Sequence, residues 1–185
     1  MTALFNVVLF LFHIVFSALI AIILFRILLQ FFRASVHNPI CHFIAKVTNP
    51  VILPLRKLLP KVKVIDLASV LLLFFVEFLM FMMLGLIMGS LLPGGVLILL
   101  IVLDPFLQLF TLLFYIILTR VILSWVFPHT VSPLTEVLGV VSEPFLRIAR
   151  RFIPPIAGLD FSPMVVLIVF KIAEIVITSY IAVPL

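Results

Sequence analysis

The chain alternates between long apolar runs and shorter segments in which polar residues recur at regular intervals. Four of the apolar runs are long enough to cross a bilayer, because about 20 residues of α-helix span its hydrocarbon core. They predict membrane-spanning helices at about residues 4–25, 67–88, 98–122 and 163–183. The pattern therefore predicts an all-α membrane protein with four transmembrane helices.

Between the first and second runs, and again between the third and fourth, the pattern changes to that of an amphipathic helix. Asn38-Pro39 and Ser132-Pro133 each place a capping side chain before a proline, which is a helix-start signal. Polar residues then recur every three or four positions, so they share one helical face. Such a segment is too short and too polar to span a bilayer and is expected to lie at its surface. The recurring polar positions are Asn38, His42, Lys46 and Asn49 in the first segment and Ser132, Glu136, Gly139, Glu143, Arg147 and Arg150 in the second.

We assign these interfacial segments to residues 38–60 and 132–154. The first contains Pro50, Pro54 and Pro60, which we expect to break or bend the helix, because proline lacks an N–H donor and clashes with the preceding turn. Each pair of spans is thus expected to be joined through an interfacial helix.

The two halves of the chain repeat one another at a spacing of 94 residues. The segment from residue 50 to residue 66 returns as residues 144–160 without a gap. Each half consists of a span, an interfacial segment and a second span, so we divide the chain into repeats at 1–90 and 95–185. Because each half crosses the membrane twice, both halves enter it from the same side, and the repeats are parallel.

Basic residues collect in the segments that the repeat places on one membrane face. Eleven of the twelve Lys and Arg residues lie at 26–63 or 120–151, and Lys171 is the exception. Under the positive-inside rule this face is cytoplasmic, and both termini lie outside the cytoplasm. No basic residue precedes the first apolar run and no small-residue cleavage site closes it, so we expect a retained span rather than a cleaved secretory signal.

Composition agrees with a membrane protein and excludes a soluble domain. Hydrophobic residues make up 66% of the chain and charged residues only 10%, whereas a soluble domain carries about 25% charged residues. The net charge is +5, and the basic residues cluster as expected for a signal of membrane orientation. We therefore expect no nucleic-acid partner. The single cysteine, Cys41, excludes an internal disulfide bond.

Short motifs in both halves resemble the YggT family of bacterial membrane proteins, which has plastid and cyanobacterial relatives. The motifs are Arg-Ile-Leu-Leu-Gln, Asn-Pro-Ile, Thr-Asn-Pro, Leu-Arg-Lys-Leu-Leu-Pro and Ile-Asp, with a second copy ending in Gly-Leu-Asp-Phe-Ser-Pro. The resemblance implies an integral inner-membrane protein with two YggT repeats. It also implies links to osmotic-stress tolerance and ion homeostasis and, for plastid relatives, to nucleoid distribution and haem attachment in a cytochrome complex. It brings no agreed molecular activity and no catalytic residue.

Ionisable side chains inside the spans are the first candidates for function, because such groups are costly in a bilayer. Glu77 and Lys171 lie eleven residues after the equivalent residues Asp66 and Asp160, so we expect equal depth and an ion pair between them. Glu174, one turn beyond Lys171, is close enough to share that pair. The pair is either a structural link that fixes helix register or part of an ion or proton path.

Asp104, followed by proline, is a further charge in the third run. Two interpretations stay open. We favour a position near the outer interface, where a late start of the span would place this residue; the alternative is a position that faces a cavity or a partner.

Charged residues also mark the membrane ends of the spans. Arg26 and Arg120 end the first and third runs, and Asp66 and Asp160 precede the second and fourth. Their depth permits Arg–Asp pairing within a repeat or between repeats. Alternatively, the arginines snorkel to lipid phosphates and the aspartates cap helices separately.

A set of basic residues in the interfacial segments is predicted to face lipid or a partner. These side chains contribute about 1 kcal/mol each near an anionic membrane surface. The alternative is that they serve only to fix topology. The set consists of Arg56, Lys57, Arg147, Arg150 and Arg151.

Catalytic and metal-binding patterns receive little support from the sequence. His37, Cys41 and His42 do not have zinc-finger spacing, and no phosphate-binding glycine motif is present. We expect no metal, no cofactor and no enzymatic activity. The favoured function is a scaffold or assembly factor in envelope and osmotic-stress tolerance, with a second copy of the chain or another membrane protein as its partner. The alternative is a small oligomeric ion channel or transporter that contributes to ion homeostasis.

Overall fold

The structure is a computed structural model, and it describes residues 2–59, 66–127, 130–153 and 160–182. Within those residues the chain is all-helical, and four of its helices are long and apolar enough to cross a membrane, which confirms the predicted fold class. The spans are α1, α3, α4 and α6, and the connecting helices are α2 and α5. The helices are α1 (Thr2–Phe31), α2 (Pro39–Leu58), α3 (Leu67–Met88), α4 (Gly94–Val126), α5 (Pro133–Phe152) and α6 (Ser162–Ala182).

Both helix-start signals act as predicted. The Asn38 side chain accepts a hydrogen bond from the Ile40 N–H at 2.9 Å and caps α2. The Ser132 side chain accepts one from the Thr135 N–H at 3.2 Å, and the Thr135 hydroxyl accepts one from the Ser132 N–H in return. These reciprocal bonds satisfy backbone donors that the first turn of a helix leaves free.

The expected break in the first interfacial segment does not occur, because α2 continues through two prolines to Leu58. Pro50 and Pro54 are both exposed and lie one turn apart on one face. The carbonyls that lose their N–H partner belong to Lys46 and Pro50, which are exposed as well, so the surroundings of the bundle can reach the groups that proline leaves without a partner. Pro60, and residue 154 at the end of the second predicted segment, lie outside the described residues.

The third span is longer than predicted. Helix α4 begins at Gly94, four residues before the expected position, and has 33 residues. At 1.5 Å per residue it measures about 50 Å, which exceeds a hydrocarbon core of about 30 Å. Helix α6 is described to Ala182, so the predicted last residue of the fourth span, 183, lies outside the described part.

The two repeats bury equivalent apolar side chains in two clusters. One cluster joins α1, α2 and α3 with the first half of α4, and the other joins α4, α5 and α6 with the end of α1 and the first half of α2. Lipid is as apolar as these side chains, so close packing rather than transfer from water favours the association of the spans. Buried pairs at the spacing of 94 residues are Ile23 and Ile117, Ile44 and Leu138, Ile52 and Leu146, and Leu72 and Val166.

A polar contact between the repeats brings α2 and α5 together. The buried Asn38 side chain donates from Nδ2 to the Pro133 carbonyl at 2.8 Å and to Glu136 Oε2 at 3.0 Å. Both connecting helices therefore lie at the same end of the bundle, as two parallel repeats require.

Candidate functional site

In the second repeat a chain of four charges ties α5 to both of its spans. Arg120, on α4, donates from Nη1 to Ser142 Oγ at 2.6 Å and from Nη2 to Glu143 Oε2 at 2.9 Å. The other Glu143 oxygen accepts from Arg150 Nη1 at 2.8 Å. Arg150 Nε in turn donates to Asp160 Oδ2 at 2.9 Å, just before α6 begins. Glu143 thus lies between two guanidinium groups, and the network holds two positive and two negative side chains.

The first repeat forms a similar network, in which a glutamine lies between the two arginines instead of a glutamate. Arg26 donates to Thr48 Oγ1, as Arg120 does to Ser142. Arg56 donates to Asp66 Oδ2 from Nη2 at 2.5 Å and from Nε at 3.2 Å. With its amide oriented to satisfy both neighbours, Gln30 accepts from Arg56 Nη2 at 3.2 Å and from Arg26 Nε at 3.3 Å.

The Arg–Asp pairing that the depth of Arg26 and Arg120 permits does not form with these two arginines. Among the described residues Asp66 and Asp160 pair with Arg56 and Arg150 instead. The last turn of each connecting helix reaches the start of the following span, whereas the arginine of the preceding span meets the middle of that helix. The ten-residue spacing from arginine to aspartate, kept in both halves, is the signal that could have identified these pairs.

Hydrogen bonds from arginine stabilise the ionised carboxylates at this end of the bundle. Partial burial opposes ionisation of Asp66, but the bonds from Arg56 and Ser69 outweigh it and lower the pKa of Asp66 below its ordinary value. Partial burial likewise opposes ionisation of Glu143, and Arg120 and Arg150 together lower its pKa. The carboxylates of both networks are therefore ionised at neutral pH.

Only part of the predicted lipid-facing set is free to face lipid or a partner. Lys57, Arg147 and Arg151 are exposed. The side chains of Arg56 and Arg150 are 31% and 35% exposed and are held in ion pairs, so the prediction that they face outward is corrected.

A second polar group lies inside the bundle, where the two repeats meet. Glu77 of α3 is fully buried. Gln108 of α4 donates from Nε2 to Asp104 Oδ2 at 2.6 Å and lies 3.4 Å from Glu77 Oε1. Among the described residues Glu77 Oε2 has no hydrogen-bond partner. We call Glu77, Asp104 and Gln108 the intramembrane acidic cluster.

Comparison with known proteins assigns the chain to a family. A model of the CCB3/YggT family matches residues 5–87 and again residues 96–181. This chain belongs to the CCB3/YggT family. The two matches fall on the two halves of the chain, as expected for an internal repeat.

Bacterial relatives match the CCB3/YggT chain over most of its length. A protein of Vibrio alginolyticus is 40% identical over 167 residues, which are 89% of this chain and 90% of the relative. The YggT protein of Escherichia coli K12 is 33% identical over 171 residues, or 90% and 87% of the two chains. The chloroplastic YlmG homolog protein 2 of Arabidopsis thaliana is 31% identical over 83 residues, or 45% and 33%. No solved structure gives a significant match.

The predicted pair of Glu77 and Lys171 does not form between the two YggT repeats. Lys171 Nζ instead binds Glu174 Oε1 on the same helix at 2.8 Å, and its side chain is 55% exposed. In the described structure α3 packs against α1, α2 and α4, whereas α6 packs against α4 and α5. Helix α4 thus separates two positions that the repeat places at equivalent depth, and the prediction was wrong.

Asp104 contacts Gln108 within the bundle, and Gln108 lies between Asp104 and Glu77. The Gln108 amide donates to Asp104 Oδ2 at 2.6 Å and lies 3.4 Å from Glu77 Oε1. The favoured position near the outer interface concerns depth in the membrane and stays a prediction, as does the alternative of a position that faces a cavity or a partner. Gln108 was not predicted, although a polar residue one turn after Asp104 in an apolar run was a usable signal.

Metal binding has no geometric support in the described part of the chain. There, no group of three His, Cys, Asp or Glu side chains is arranged to hold a metal ion. Cys41 is half-buried, and burial is the main cause that raises the pKa of its thiol, with a smaller contribution from the charge of Glu136.

Proposed function

We propose that this chain is a non-enzymatic protein of the bacterial inner membrane that acts as a scaffold or assembly factor in envelope and osmotic-stress tolerance. The observation that supports this role best is the fixation of both connecting helices. Each is tied to the following span by an Arg–Asp pair, and each ends in exposed basic side chains. Ion pairs thus hold two amphipathic helices at one end of an apolar bundle, where anionic lipid or an acidic partner can bind.

The orientation of this end is part of the proposal. The positive-inside rule assigns the basic connecting helices to the cytoplasm and both termini to the opposite side. A tag at the C-terminus should then be accessible from outside intact spheroplasts. A tag that is accessible only after lysis would contradict the orientation.

Recovery of partners from native membranes tests the scaffold role. The variant Lys57→Ala/Arg147→Ala/Arg151→Ala removes the exposed basic side chains at the ends of α2 and α5 and leaves the ion pairs intact. Lys46→Ala is a suitable control, because Lys46 is exposed on α2 and lies outside its last turn. We expect the triple variant to lose chemically cross-linked membrane partners that the wild type and the control retain. Equal recovery by all three proteins would contradict the scaffold role.

A second function, a small oligomeric ion channel or transporter, is favoured by the intramembrane acidic cluster. Ionisable groups enclosed in a bundle are typical of ion and proton pathways. The cluster is formed by one helix from each repeat, so relative motion of the repeats would change its geometry. Four spans enclose little space, so an oligomer would form the path.

Ion flux in liposomes distinguishes this second function from the scaffold. If the chain is a channel, flux should be seen with the wild type and with Glu174→Gln, whose side chain lies on α6 away from the cluster. Glu77→Gln and Asp104→Asn should abolish that flux if the cluster conducts. Absence of flux from the folded wild type, reconstituted at high protein density, would leave the scaffold as the function supported.

A further inference from the structure

The second repeat balances its partly buried arginines within its own network. Arg120 and Arg150 face two carboxylates, Glu143 and Asp160, and Glu143 binds both guanidinium groups. The positive and negative charges are therefore equal in number, and no further ion is required at this site.

The first repeat is not balanced in this way. Its two arginines, Arg26 and Arg56, are matched by the carboxylate of Asp66 alone, because Asn49 occupies the position equivalent to Glu143. The neutral amide of Gln30 lies between the guanidinium groups in place of a carboxylate. One positive charge in this network has no counter-charge among the described side chains that bind it.

The unbalanced charge is also the better buried of the two. Arg26 is 4% exposed, whereas the side chain of its equivalent, Arg120, is 29% exposed. Arg56 repels Arg26 and Asp66 attracts it, but the Asp66 carboxylate is already bound by Arg56. A buried ion that lacks a counter-ion of its own is costly, so this position favours the binding of an anion from outside the chain.

A pocket of about 510 Å³ opens beside Arg26. Its polar lining consists of Arg26, Gln30, Arg33 and His42, and among the described residues that line it none is acidic. Two carboxylates outside the lining act on pocket residues: Glu136, which is hydrogen-bonded by Asn38, acts on Cys41, and Asp66, which is bound by Arg56, acts on Arg26. Guanidinium groups match the geometry of phosphate oxygens, which makes phosphate the anion that this lining fits best.

The backbone at the rim of the pocket has an unusual conformation. Arg33 has φ +55°, in the left-handed region that residues other than glycine rarely adopt. It follows the end of α1, and its side chain is exposed. This arrangement places a second guanidinium at the mouth of a pocket whose inner end is formed by the buried Arg26.

We propose that this pocket binds the phosphate group of an anionic phospholipid, which supplies the counter-charge that Glu143 supplies in the second repeat. The pocket lies where α1 leaves the bundle, at the level where headgroups meet a span. Leu29, Val36 and Ile44 line its remaining walls and offer apolar contacts to the glycerol and first acyl carbons. The proposal does not depend on the scaffold role.

The second repeat supplies the substitution that tests the proposal. Asn49→Glu introduces the carboxylate that the second repeat has at this position, and Asn49→Gln is the control of equal size without charge. We expect delipidated Asn49→Glu protein to bind phosphatidylglycerol about fivefold more weakly than wild type, the factor for one basic residue near a membrane surface. Asn49→Gln should bind within twofold of wild type. Native mass spectrometry in detergent measures both affinities.

Two further ligands identify the source of the phosphate. We expect phosphatidylcholine, which has a phosphate but no net charge, to bind more weakly than phosphatidylglycerol, and inorganic phosphate to compete poorly. Equal affinities of Asn49→Glu and Asn49→Gln for phosphatidylglycerol would overturn the site. Tight binding of inorganic phosphate without a preference for phosphatidylglycerol would overturn the lipid assignment.

A second variant keeps the test independent of folding at position 49. Arg33→Gln changes an exposed side chain, so it is expected to fold normally while weakening phosphatidylglycerol binding about fivefold. Lys46→Gln, an exposed basic residue on α2 that does not line the pocket, is its matched control. Equal losses in Arg33→Gln and Lys46→Gln would show attraction to the general surface charge and would overturn a specific site.

Discussion

The two Arg–Asp pairs are equivalent in sequence but differ in burial, and their coupling energies should differ accordingly. In the first repeat the side chains of Arg56 and Asp66 are 31% and 12% exposed, and Asp66 Oδ2 accepts two hydrogen bonds from that arginine. In the second repeat the values for Arg150 and Asp160 are 35% and 31%, with a single bond between them. Hydrogen bonds to charged groups contribute about 1.5–3 kcal/mol when sheltered, whereas exposed ion pairs contribute about 0–1 kcal/mol.

We therefore expect a coupling energy of about 2 kcal/mol for Arg56 and Asp66. For Arg150 and Asp160 we expect about 0.5 kcal/mol, since water screens the more exposed pair. Double-mutant cycles measure both values, with Arg56→Met and Asp66→Asn in one cycle and the equivalent substitutions in the other. Reversible unfolding in mixed micelles supplies the free energy of each variant.

The comparison between the cycles is the decisive measurement, because both are made in one protein under one set of conditions. Equal coupling energies would show that burial of Asp66 has no energetic consequence at this membrane end. A coupling near zero in the first repeat would refute the reasoning altogether, because the shortest and best enclosed of these bonds would then contribute nothing.

Three further predictions concern other parts of the bundle. Thr48→Val removes the acceptor of the buried Arg26 and should lower the free energy of unfolding in mixed micelles by about 1.5–3 kcal/mol; a loss below about 0.5 kcal/mol would contradict this role. Gly89→Ala should cost about 1 kcal/mol in the same assay, since Gly89 ends α3 at φ +70°, and no measurable loss would contradict it. Asp66 and Asp160 have lowered pKa values in the folded chain, so the stability that they contribute is complete above their ordinary pKa near 4 and is lost as pH falls through the lowered values. The midpoint temperature of thermal unfolding should therefore change little between pH 7 and about 5 and fall below about pH 4. This fall at acid pH should be smaller in Asp66→Asn/Asp160→Asn, and an unchanged fall in that variant would refute the role of the two carboxylates.

The spans and the helix starts could be predicted from the sequence because their causes are local. A run of about 20 apolar residues is sufficient for a span, and Asn38 or Ser132 before proline is sufficient for a cap. The continuation of α2 through Pro50 and Pro54 could not be predicted in the same way, since it depends on which face of the helix is exposed in the folded bundle.

The candidate sites were predicted as sets of residues, but their partners were not. The choice of partner depends on which helices pack together, and the repeat specifies depth without specifying neighbours. Glu77 and Lys171 illustrate this limit, because α4 lies between α3 and α6 in the packing order of the described helices. The internal repeat nevertheless indicates ion-pair partners better than composition does, since the spacing of Arg56 and Asp66 is repeated in Arg150 and Asp160.

Comparison of the two repeats separates residues that maintain the fold from residues that differ for another reason. Thr48 and Ser142 bind equivalent arginines, and the Arg–Asp pairs are the same in both halves, so these positions stabilise each helix–span junction. Glu77, in contrast, has Lys171 as its equivalent, and only Glu77 is enclosed against the other repeat. Packing of two similar repeats does not by itself require opposite charges at these equivalent positions. The intramembrane acidic cluster and the unbalanced charge at Arg26 both differ between the repeats, so function beyond stability is to be sought at those two places and not in the shared network.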